Sequence, residues 1–366
     1  MTLPKDTDTM PAPKAPAHEA RAHEAAAHAT QAPAPAPAAH KATAPNHVPL
    51  VEVTRDGLLE SVHYGSLIAL AADDSSIVEA GQPDAPMYPR SSLKPLQAVA
   101  LLKAGLDIPE NLLALTAASH SGAKMHRDGA TEILKLHGLT DAALANSTDI
   151  PYGVAEREEW LRAGNGPTHI TQNCSGKHAS MTAVCVINGW PVEGYLHPEH
   201  PLQVLVRDTI TELTGEEAAA VSTDGCGTPL FAHSLHGMAR AYGRLAAADE
   251  DTLEGKVAHA MRRFPEMVAG EGRDVTALMR AVPGLLAKDG FEGLQLVGLP
   301  DGTGLAVKIS DGGDRARMPV TVEVLRRLGV DGGSLDTLQS PPVLGGGLPV
   351  GELRASDFSA TNQGQL

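Results

Sequence analysis

The chain has 366 residues, 42% of them hydrophobic, so it is long enough to bury a sizeable core in one large domain or two. Its formal net charge of −15 repels phosphate backbones and anionic membranes, which argues against nucleic acid or lipid as a partner. Three cysteines are too few for a disulfide scaffold and suit a reducing compartment.

The first 46 residues differ in composition from the rest, because Ala, Pro and His dominate them and large apolar side chains are almost absent. We therefore expect a disordered tail over residues 1–46. The first residues lack the apolar core of a secretory signal, and no apolar run reaches membrane-spanning length. These features predict a cytoplasmic protein without a membrane partner.

The folded part is expected to begin with a β-hairpin at the edge of a sheet, formed by residues 51–55 and 58–70 around Asp56-Gly57. A helix follows from Lys94, and further helices are predicted at residues 128–137, 201–215, 228–246 and 251–264. A second hairpin is predicted from residues 294–299 and 304–309. Strands at both ends of the chain favour an α+β fold, an antiparallel sheet flanked by helices, in a single domain over residues 47–355 with a flexible C-terminus at 356–366.

Ser91 and Lys94 form a Ser-x-x-Lys pair at the predicted start of this helix. Pro95 has no N–H to donate and is tolerated only in the first turn, which places Ser91 near the helix start. Residues at i and i+3 share one helix face, so the two side chains can meet. A desolvated lysine can lose its proton and activate a serine hydroxyl. The alternative is that Ser91 only caps the helix.

Two later segments extend this pattern. The order Ser91/Lys94, then Ser119/Ser121, then Lys288/Gly290 parallels the three motifs of serine penicillin-recognising enzymes, without their strict forms. The pattern indicates an acyl-transfer hydrolase. The alternative is that the two serines lie in a turn and Lys288 is a surface charge.

The cysteine segments indicate a second kind of site. Cys174, Lys177 and Cys226 can converge on one soft metal ion, with thiolates and a neutral amine as ligands. Without a Cys-x-x-Cys pair, buried free thiols are the alternative. Cys185 lies in an apolar run and is expected in the core.

Taken together, these segments resemble the rhizobial-type L-asparaginases of the asparaginase II-like family. The resemblance covers residues 50–318 and is carried by residues 51–55, 90–97, 119–122, 173–178, 224–227, 288–293 and 308–312. It implies hydrolysis of L-asparagine, a serine β-lactamase- and penicillin-binding-protein-like fold, and a homodimer. One departure is Phe291, where the family usually has a smaller residue.

The resemblance also implies roles for particular residues. Ser91 with Lys94 would form one serine-lysine tandem and Ser119 with Lys288 a second. Arg90 and Asp224 would lie beside them, and the expected substrate contacts are Arg90 with the α-carboxylate, Asp224 with the α-ammonium, and His120 and Ser121.

The family's zinc ion would be bound by Cys174, Cys226 and Lys177, either acting on the substrate or its water or fixing the two loops. Two alternatives stay open at this point. One is a serine-lysine amidase for glutamine or a β-lactam, and the other is a non-catalytic, zinc-stabilised binding protein.

Overall fold

The computed structural model describes residues 44–330, 335–338 and 342–358. The residues from Pro45 onward belong to one unit. Except for residues 44–46 and 356–358, the predicted N-terminal tail and flexible C-terminus lie outside the described residues, and the predicted boundaries of both segments stay predictions. Within the described part of the chain, no helix combines the length and apolarity that a membrane crossing needs.

The strands form one large antiparallel sheet and two small hairpins. The large sheet has seven strands in the order β11-β1-β2-β8-β7-β6, with β3 also paired to β2. The strands are β1 Val48–Arg55, β2 Leu58–Leu70, β3 Ser76–Ala80, β4 Val221–Thr223, β5 Pro229–Phe231, β6 Leu286–Gly290, β7 Leu294–Gly298, β8 Gly304–Ile309, β9 Val343–Gly345, β10 Leu348–Gly351 and β11 Leu353–Ala355.

Helices pack against this sheet and against one another. The helices are α1 Lys94–Lys103, α2 Glu110–Thr116, α3 Lys124–Leu136, α4 Val154–Arg162, α5 Ser175–Asn188, α6 Pro201–Thr214, α7 Leu235–Ala247, α8 Leu253–Arg263, α9 Pro265–Val268, α10 Asp274–Ala281 and α11 Arg317–Arg327. Helix α7 packs on β2, β7 and β8, and α11 contacts β1, β7 and β8. Helix α1 lies among α5, α6 and α8, so it is buried over most of its length.

Close contact between α7 and the sheet depends on glycine. Gly298 and Gly304 are paired across β7 and β8. A Cβ atom on either one would collide with an α7 carbonyl, that of Tyr242 or of Ala239. Glycine therefore lets the two backbones approach this closely. On the same helix, the Tyr242 hydroxyl donates to the Ser92 carbonyl at 2.7 Å. Helix α7, packed on the sheet, thus contacts the turn that contains Ser91.

The predicted α+β fold is confirmed: β2 and β8 join the two ends of the chain in one antiparallel sheet. The helix from Lys94 is confirmed with Pro95 in its first turn, as are those at residues 128–137, 201–215 and 251–264, with ends that differ by a few residues. Both hairpins are present.

Two predictions were wrong in position. The first hairpin is not at the sheet edge, because β11, from near the end of the chain, pairs with β1 outside it. The helix predicted at 228–246 begins only at Leu235, where Ser234 caps it by accepting from the Gly237 amide. Residues 229–231 instead pair with β4, because the glycines before them reverse the chain.

Candidate active site

A short 3-10 turn, Arg90–Leu93, precedes α1 and contains Ser91. Arg90 has φ 53°, a left-handed conformation that costs a non-glycine residue free energy. Three contacts hold the turn: Ser92 Oγ donates to the Pro89 carbonyl at 2.6 Å, Tyr242 bonds the Ser92 carbonyl, and β6 packs against the turn. This support keeps the Ser91 hydroxyl half-buried at a fixed position.

Lys94 is almost completely buried, with 2% of its surface exposed. Its Nζ donates to Ser119 Oγ at 2.9 Å and to the Ala118 carbonyl at 2.6 Å. Burial disfavours the ammonium form and lowers the pKa of Lys94. A neutral amine at this position is a base within hydrogen-bond distance of a serine hydroxyl.

Ser91 and Ser119 line the same small pocket, whose volume is about 30 Å³. The other residues around it are Tyr152, Asn173, Asp289, Gly290, Phe291 and Asp314. This volume holds about two water molecules. Phe291, which is 56% exposed, forms the solvent-facing part of this lining.

Lys288 lies beside this pocket at 0% exposure. Its Nζ donates to the Asp289 carbonyl at 2.8 Å and to the Asp289 carboxylate. Burial lowers the pKa of Lys288 to about 8, although Asp289 acts in the opposite direction. Burial alone would raise the pKa of Asp289, but Lys288 and Arg273, whose Nη2 lies 3.1 Å from Oδ2, hold it below its usual value. The pocket therefore has a carboxylate on its wall.

Arg90 and Asp224 form an ion pair next to the serines. Arg90 Nε donates to Asp224 Oδ1 at 2.8 Å, and that oxygen also accepts from the Gly225 amide at 2.8 Å. The Phe291 ring lies 5.2 Å from Arg90 Cζ, in cation–π contact. The terminal nitrogens of Arg90 remain the donors that a carboxylate would meet.

The structure places Ser91, Ser119 and Lys94 close together, but their hydrogen bonds differ from the predicted serine-lysine tandems. The hydroxyl that contacts Lys94 is that of Ser119, and the contacts of Lys288 are with Asp289. His120 Nε2 bonds Ser175 Oγ at 2.9 Å, and Ser121 Oγ donates to Glu156 at 2.9 Å. The roles of these residues stay predictions.

Several pocket residues were missed by sequence reasoning. Asn173 and Asp289 lie inside motifs already noted, and being adjacent to Cys174 and Lys288 was the signal that they share the site. Tyr152 comes from a loop and Asp314 from a 3-10 turn, Asp314–Ala316, and neither segment has a distinguishing sequence pattern. Only the fold brings them to the pocket.

A second buried cluster, which we call the thiol cluster, contains Cys174, Lys177, His178 and Cys226. The first three lie at the start of α5, and Cys226 lies in the loop between β4 and β5. One ring nitrogen of His178 and the two sulfur atoms are all within 4.8 Å of one another. Lys177 Nζ donates to Cys226 Sγ at 3.3 Å. The predicted cysteines and lysine are therefore together, and His178 is an addition.

The donor chemistry of the thiol cluster fits a soft metal ion. Two thiols and an imidazole are the ligand types that zinc prefers. A hydrogen bond from Cys174 lowers the pKa of Cys226 despite its burial, whereas burial raises the pKa of Cys174. Burial lowers the pKa of His178 to about 4, and a hydrogen bond with Cys226 acts in the opposite direction. The signal for His178 was its position four residues after Cys174, on the same helix face.

Comparison with known proteins shows the class of the protein. A family model described as L-asparaginase II matches residues 51–355, which makes the protein a hydrolase that acts on amides. More narrowly, the chain belongs to the L-asparaginase II family. The resemblance is thereby confirmed, and the match extends beyond residue 318. No match is found among curated proteins.

Solved structures with similarity include one described as a putative β-lactamase and one described as a β-lactamase. A putative β-lactamase from Bacteroides dorei DSM 17855 is 15% identical, with 71% of this chain and 92% of that chain covered and a TM-score of 0.40. A β-lactamase from Mycobacterium bovis is 14% identical, with 72% and 94% covered and a TM-score of 0.40.

Proposed function

We propose that the protein is an L-asparaginase that hydrolyses the side-chain amide of L-asparagine to L-aspartate and ammonia through a serine nucleophile and a lysine base. The observation that carries this proposal is the buried Lys94 amine bonded to Ser119 Oγ in the pocket that Ser91 also lines. Membership of the L-asparaginase II family supports the substrate class.

In the proposed reaction, Ser91 Oγ attacks the amide carbon and neutral Lys94 takes its proton. Ser91 is chosen over Ser119 because it is half-buried and open to the pocket, whereas Ser119 is 5% exposed. The proton returns through Ser119 Oγ to the amide nitrogen as the C–N bond breaks, and ammonia leaves. Water then attacks the aspartyl ester, the same groups accept its proton, and Ser91 is regenerated.

Recognition of the amino acid backbone is proposed for Arg90 and Asp224. The terminal nitrogens of Arg90 suit a bidentate contact with the α-carboxylate, and Asp224 attracts the α-ammonium. The Arg90–Asp224 hydrogen bond orients both side chains before substrate arrives. His120 and Ser121 are hydrogen-bonded to Ser175 and Glu156. For the proposed contacts with substrate, these two hydrogen bonds have to break.

Zinc is proposed at Cys174, Cys226 and Lys177. A bound zinc ion would act as a Lewis acid and would cross-link the three side chains that bind it. In the chain itself, these residues join the start of α5 to the β4–β5 hairpin, which also contains Asp224. The cluster thereby fixes the position of a proposed substrate contact.

The experiment is ammonia release from L-asparagine and L-glutamine by the purified protein, with Ser91→Ala, Ser119→Ala and the exposed control Ser76→Ala. We expect release from L-asparagine that falls at least ~10³-fold in Ser91→Ala and is unchanged in Ser76→Ala. One methylene is worth only about 1–3 kcal/mol of discrimination, so a preference for glutamine would move the proposal to that amide. Folded, zinc-loaded protein that releases no ammonia would favour a binding role.

Two further proposals concern the whole protein: a homodimer, which the family resemblance implies, and a cytoplasmic location, which the sequence predicts. We propose a homodimer, for which light scattering on the eluting protein should give twice the chain mass of 38.0 kDa. We also propose a cytoplasmic location, which fractionation of the source cells would test. A monomer, or protein recovered outside the cytoplasm, would contradict these statements separately.

A further inference from the structure

Arg273 is a largely buried cation that the proposed reaction leaves unused. Its Nη2 donates to Asp289 Oδ2 at 3.1 Å, while Lys288 Nζ donates to the other carboxylate oxygen, Oδ1. Arg273 Nη1 is buried too and has no hydrogen-bond partner among the described residues. Because a buried donor without a partner is unfavourable, the stability of the fold does not by itself explain an arginine at this position.

Two neighbours hold the Arg273 guanidinium against Asp289. The Tyr152 ring, which is part of the pocket lining, lies 4.8 Å from Arg273 Cζ. The chain that leads to Arg273 is bonded to the segment that contains a serine of the pocket, since the Ser119 amide donates to the Val268 carbonyl at 2.9 Å. The cation is therefore tied to the pocket through its side chain and through its backbone.

Lys288 and Arg273 share one carboxylate, and this sharing affects the proton on Lys288. Asp289 stabilises the Lys288 ammonium, whereas the charges of Lys94 and Arg273 destabilise it. Arg273 also satisfies the second oxygen of Asp289. When Lys288 loses its proton to solvent, Asp289 keeps a counter-ion, so no unpaired carboxylate is left buried in the pocket wall.

Arg317, on α11, also acts on Asp289 through its charge. Its hydrogen bonds, however, go to other groups: Gln295 at 2.7 Å, Asp274 at 3.0 Å and Asp314 at 3.1 Å. Two of these partners are carboxylates, which offset the positive charge of Arg317. Arg273 is therefore the arginine that contacts Asp289 directly.

We infer that Arg273 is a positioning residue for the proposed reaction: its bond to Asp289 Oδ2 keeps that carboxylate paired when the Lys288 amine is neutral. The inference rests on the proposed function and on the predicted catalytic role of Lys288. Arg273 acts through Asp289 and needs no contact with substrate. Without Arg273, Asp289 would draw more strongly on the Lys288 ammonium, and the pKa of Lys288 would rise.

The rival explanation is that Arg273 only packs on Tyr152 and supports the start of α10. Arg263, at an exposed position at the end of α8, makes the same two kinds of contact, with Glu110 at 2.6 Å and with the Phe264 ring at 5.4 Å. Arg263→Gln is therefore a matched control, because it removes an ion pair and a cation–π contact outside the pocket.

The test is an NMR titration of the full-length protein labelled with 13C at lysine Cε, in which the Lys288 signal is identified by its absence from Lys288→Met. We expect Arg273→Gln to raise the pKa of Lys288 by about half to one unit. Arg273→Lys, which restores a cation, and Arg263→Gln should keep this pKa within about 0.3 unit of the wild-type value. In an Asp289→Asn background, Arg273→Gln should lose most of its effect, because the carboxylate through which Arg273 acts is gone.

An unchanged or lowered Lys288 pKa in Arg273→Gln would overturn the inference, and so would an equal rise in the Asp289→Asn background. If Arg273→Gln does not fold, the double variant Arg273→Gln/Asp289→Asn, which buries no unpaired carboxylate at this position, provides the test. Its Lys288 pKa should lie within about half a unit of that in Asp289→Asn, and a larger difference would overturn the inference.

The titration needs no turnover, so its result is separate from that of the proposed function. In active enzyme, the rising limb of the pH dependence of kcat/KM should move to higher pH in Arg273→Gln by the same amount as the Lys288 pKa. Protein that shows the expected pKa shifts but releases no ammonia from L-asparagine would contradict the proposed function alone. Active enzyme with an unshifted Lys288 pKa in Arg273→Gln would contradict the inference alone.

Discussion

Comparison of two buried lysines, Lys94 and Lys177, shows how the pocket differs from the thiol cluster. Lys94 and Lys177 are 2% and 1% exposed. Lys94 contacts oxygen atoms, and burial lowers its pKa. Burial also disfavours the ammonium of Lys177, but without a bound metal ion the sulfur atoms of Cys226 and Cys174 outweigh it and raise its pKa. Two equally buried lysines thus have pKa values shifted in opposite directions, because their neighbouring atoms differ.

This difference in pKa shift indicates separate roles for the pocket and the thiol cluster. The pocket has a lysine that gives up its proton readily and a half-exposed serine that substrate can reach. The thiol cluster has soft donors away from the pocket wall. The two are not independent, since the charges of Cys174, Lys177 and Cys226 all act on Lys94. Variants that alter one cluster and spare the other test this division.

The largest effect is expected from Lys94→Met, which keeps the length of the side chain and removes the amine. We expect kcat for asparagine hydrolysis to fall at least ~10³-fold, because the serine loses its base. Bound zinc should be unchanged. Lys256→Met, at an exposed position on α8, is the control and should keep full activity. Zinc loss in Lys94→Met would show that the clusters form one unit.

The converse change is Cys226→Ala, with Cys185→Ala as a control because Cys185 is an equally buried thiol. We expect zinc affinity, measured by chelator competition, to fall more than ~100-fold in Cys226→Ala and to stay unchanged in Cys185→Ala. The loss of kcat should be smaller than in Lys94→Met. An equal loss of zinc in both cysteine variants would contradict the assigned cluster.

The pH dependence of kcat/KM tests the lysines of the pocket. We propose that Lys288, predicted as a catalytic residue, must be neutral like Lys94, so activity should rise with pH as Lys288, with a pKa of about 8, and Lys94 lose their protons. Asp289 raises the pKa of Lys288, and Asp289→Asn should therefore move the rising limb to lower pH by up to about one unit. Movement of the rising limb to higher pH in Asp289→Asn would contradict this account.

The smallest effect concerns backbone strain, which also distinguishes the two clusters. Arg90 has φ 53°, whereas Cys174 has φ −123°. Arg90→Ala and Arg90→Gly both remove the guanidinium, but only glycine tolerates the left-handed conformation. We expect the free energy of unfolding in urea to be about 1 kcal/mol higher for Arg90→Gly than for Arg90→Ala. Equal stability would mean that the turn relaxes when the Arg90–Asp224 bond is lost.

The sequence predicted those features that local patterns control. Pro95 located the start of α1, and alternating apolar residues located β2 and β8. Local patterns could not reveal that β11 pairs with β1, because residues 353–355 are some three hundred positions away along the chain. The same limit explains the misplaced start of α7, where an apolar run in β5 is a strand only because β4 pairs with it.

For the site, motifs identified residue types but not their pairing. Ser91 and Lys94 are close in sequence, yet the hydroxyl at Lys94 Nζ belongs to Ser119, which α2 brings there from 25 positions away. His178 lay inside a motif already noted. Only its distance from Cys174 and Cys226 distinguished it from an ordinary core histidine.

The most direct test of the central claim is to quench the reaction with L-asparagine during turnover and locate the covalent intermediate by peptide mass spectrometry. We expect an aspartyl ester on the peptide that contains Ser91, and we expect this ester to be absent from Ser91→Ala. Ester formation on Ser119, or ammonia release from L-asparagine that persists in Ser91→Ala, would contradict the assignment of Ser91 as the nucleophile activated by Lys94.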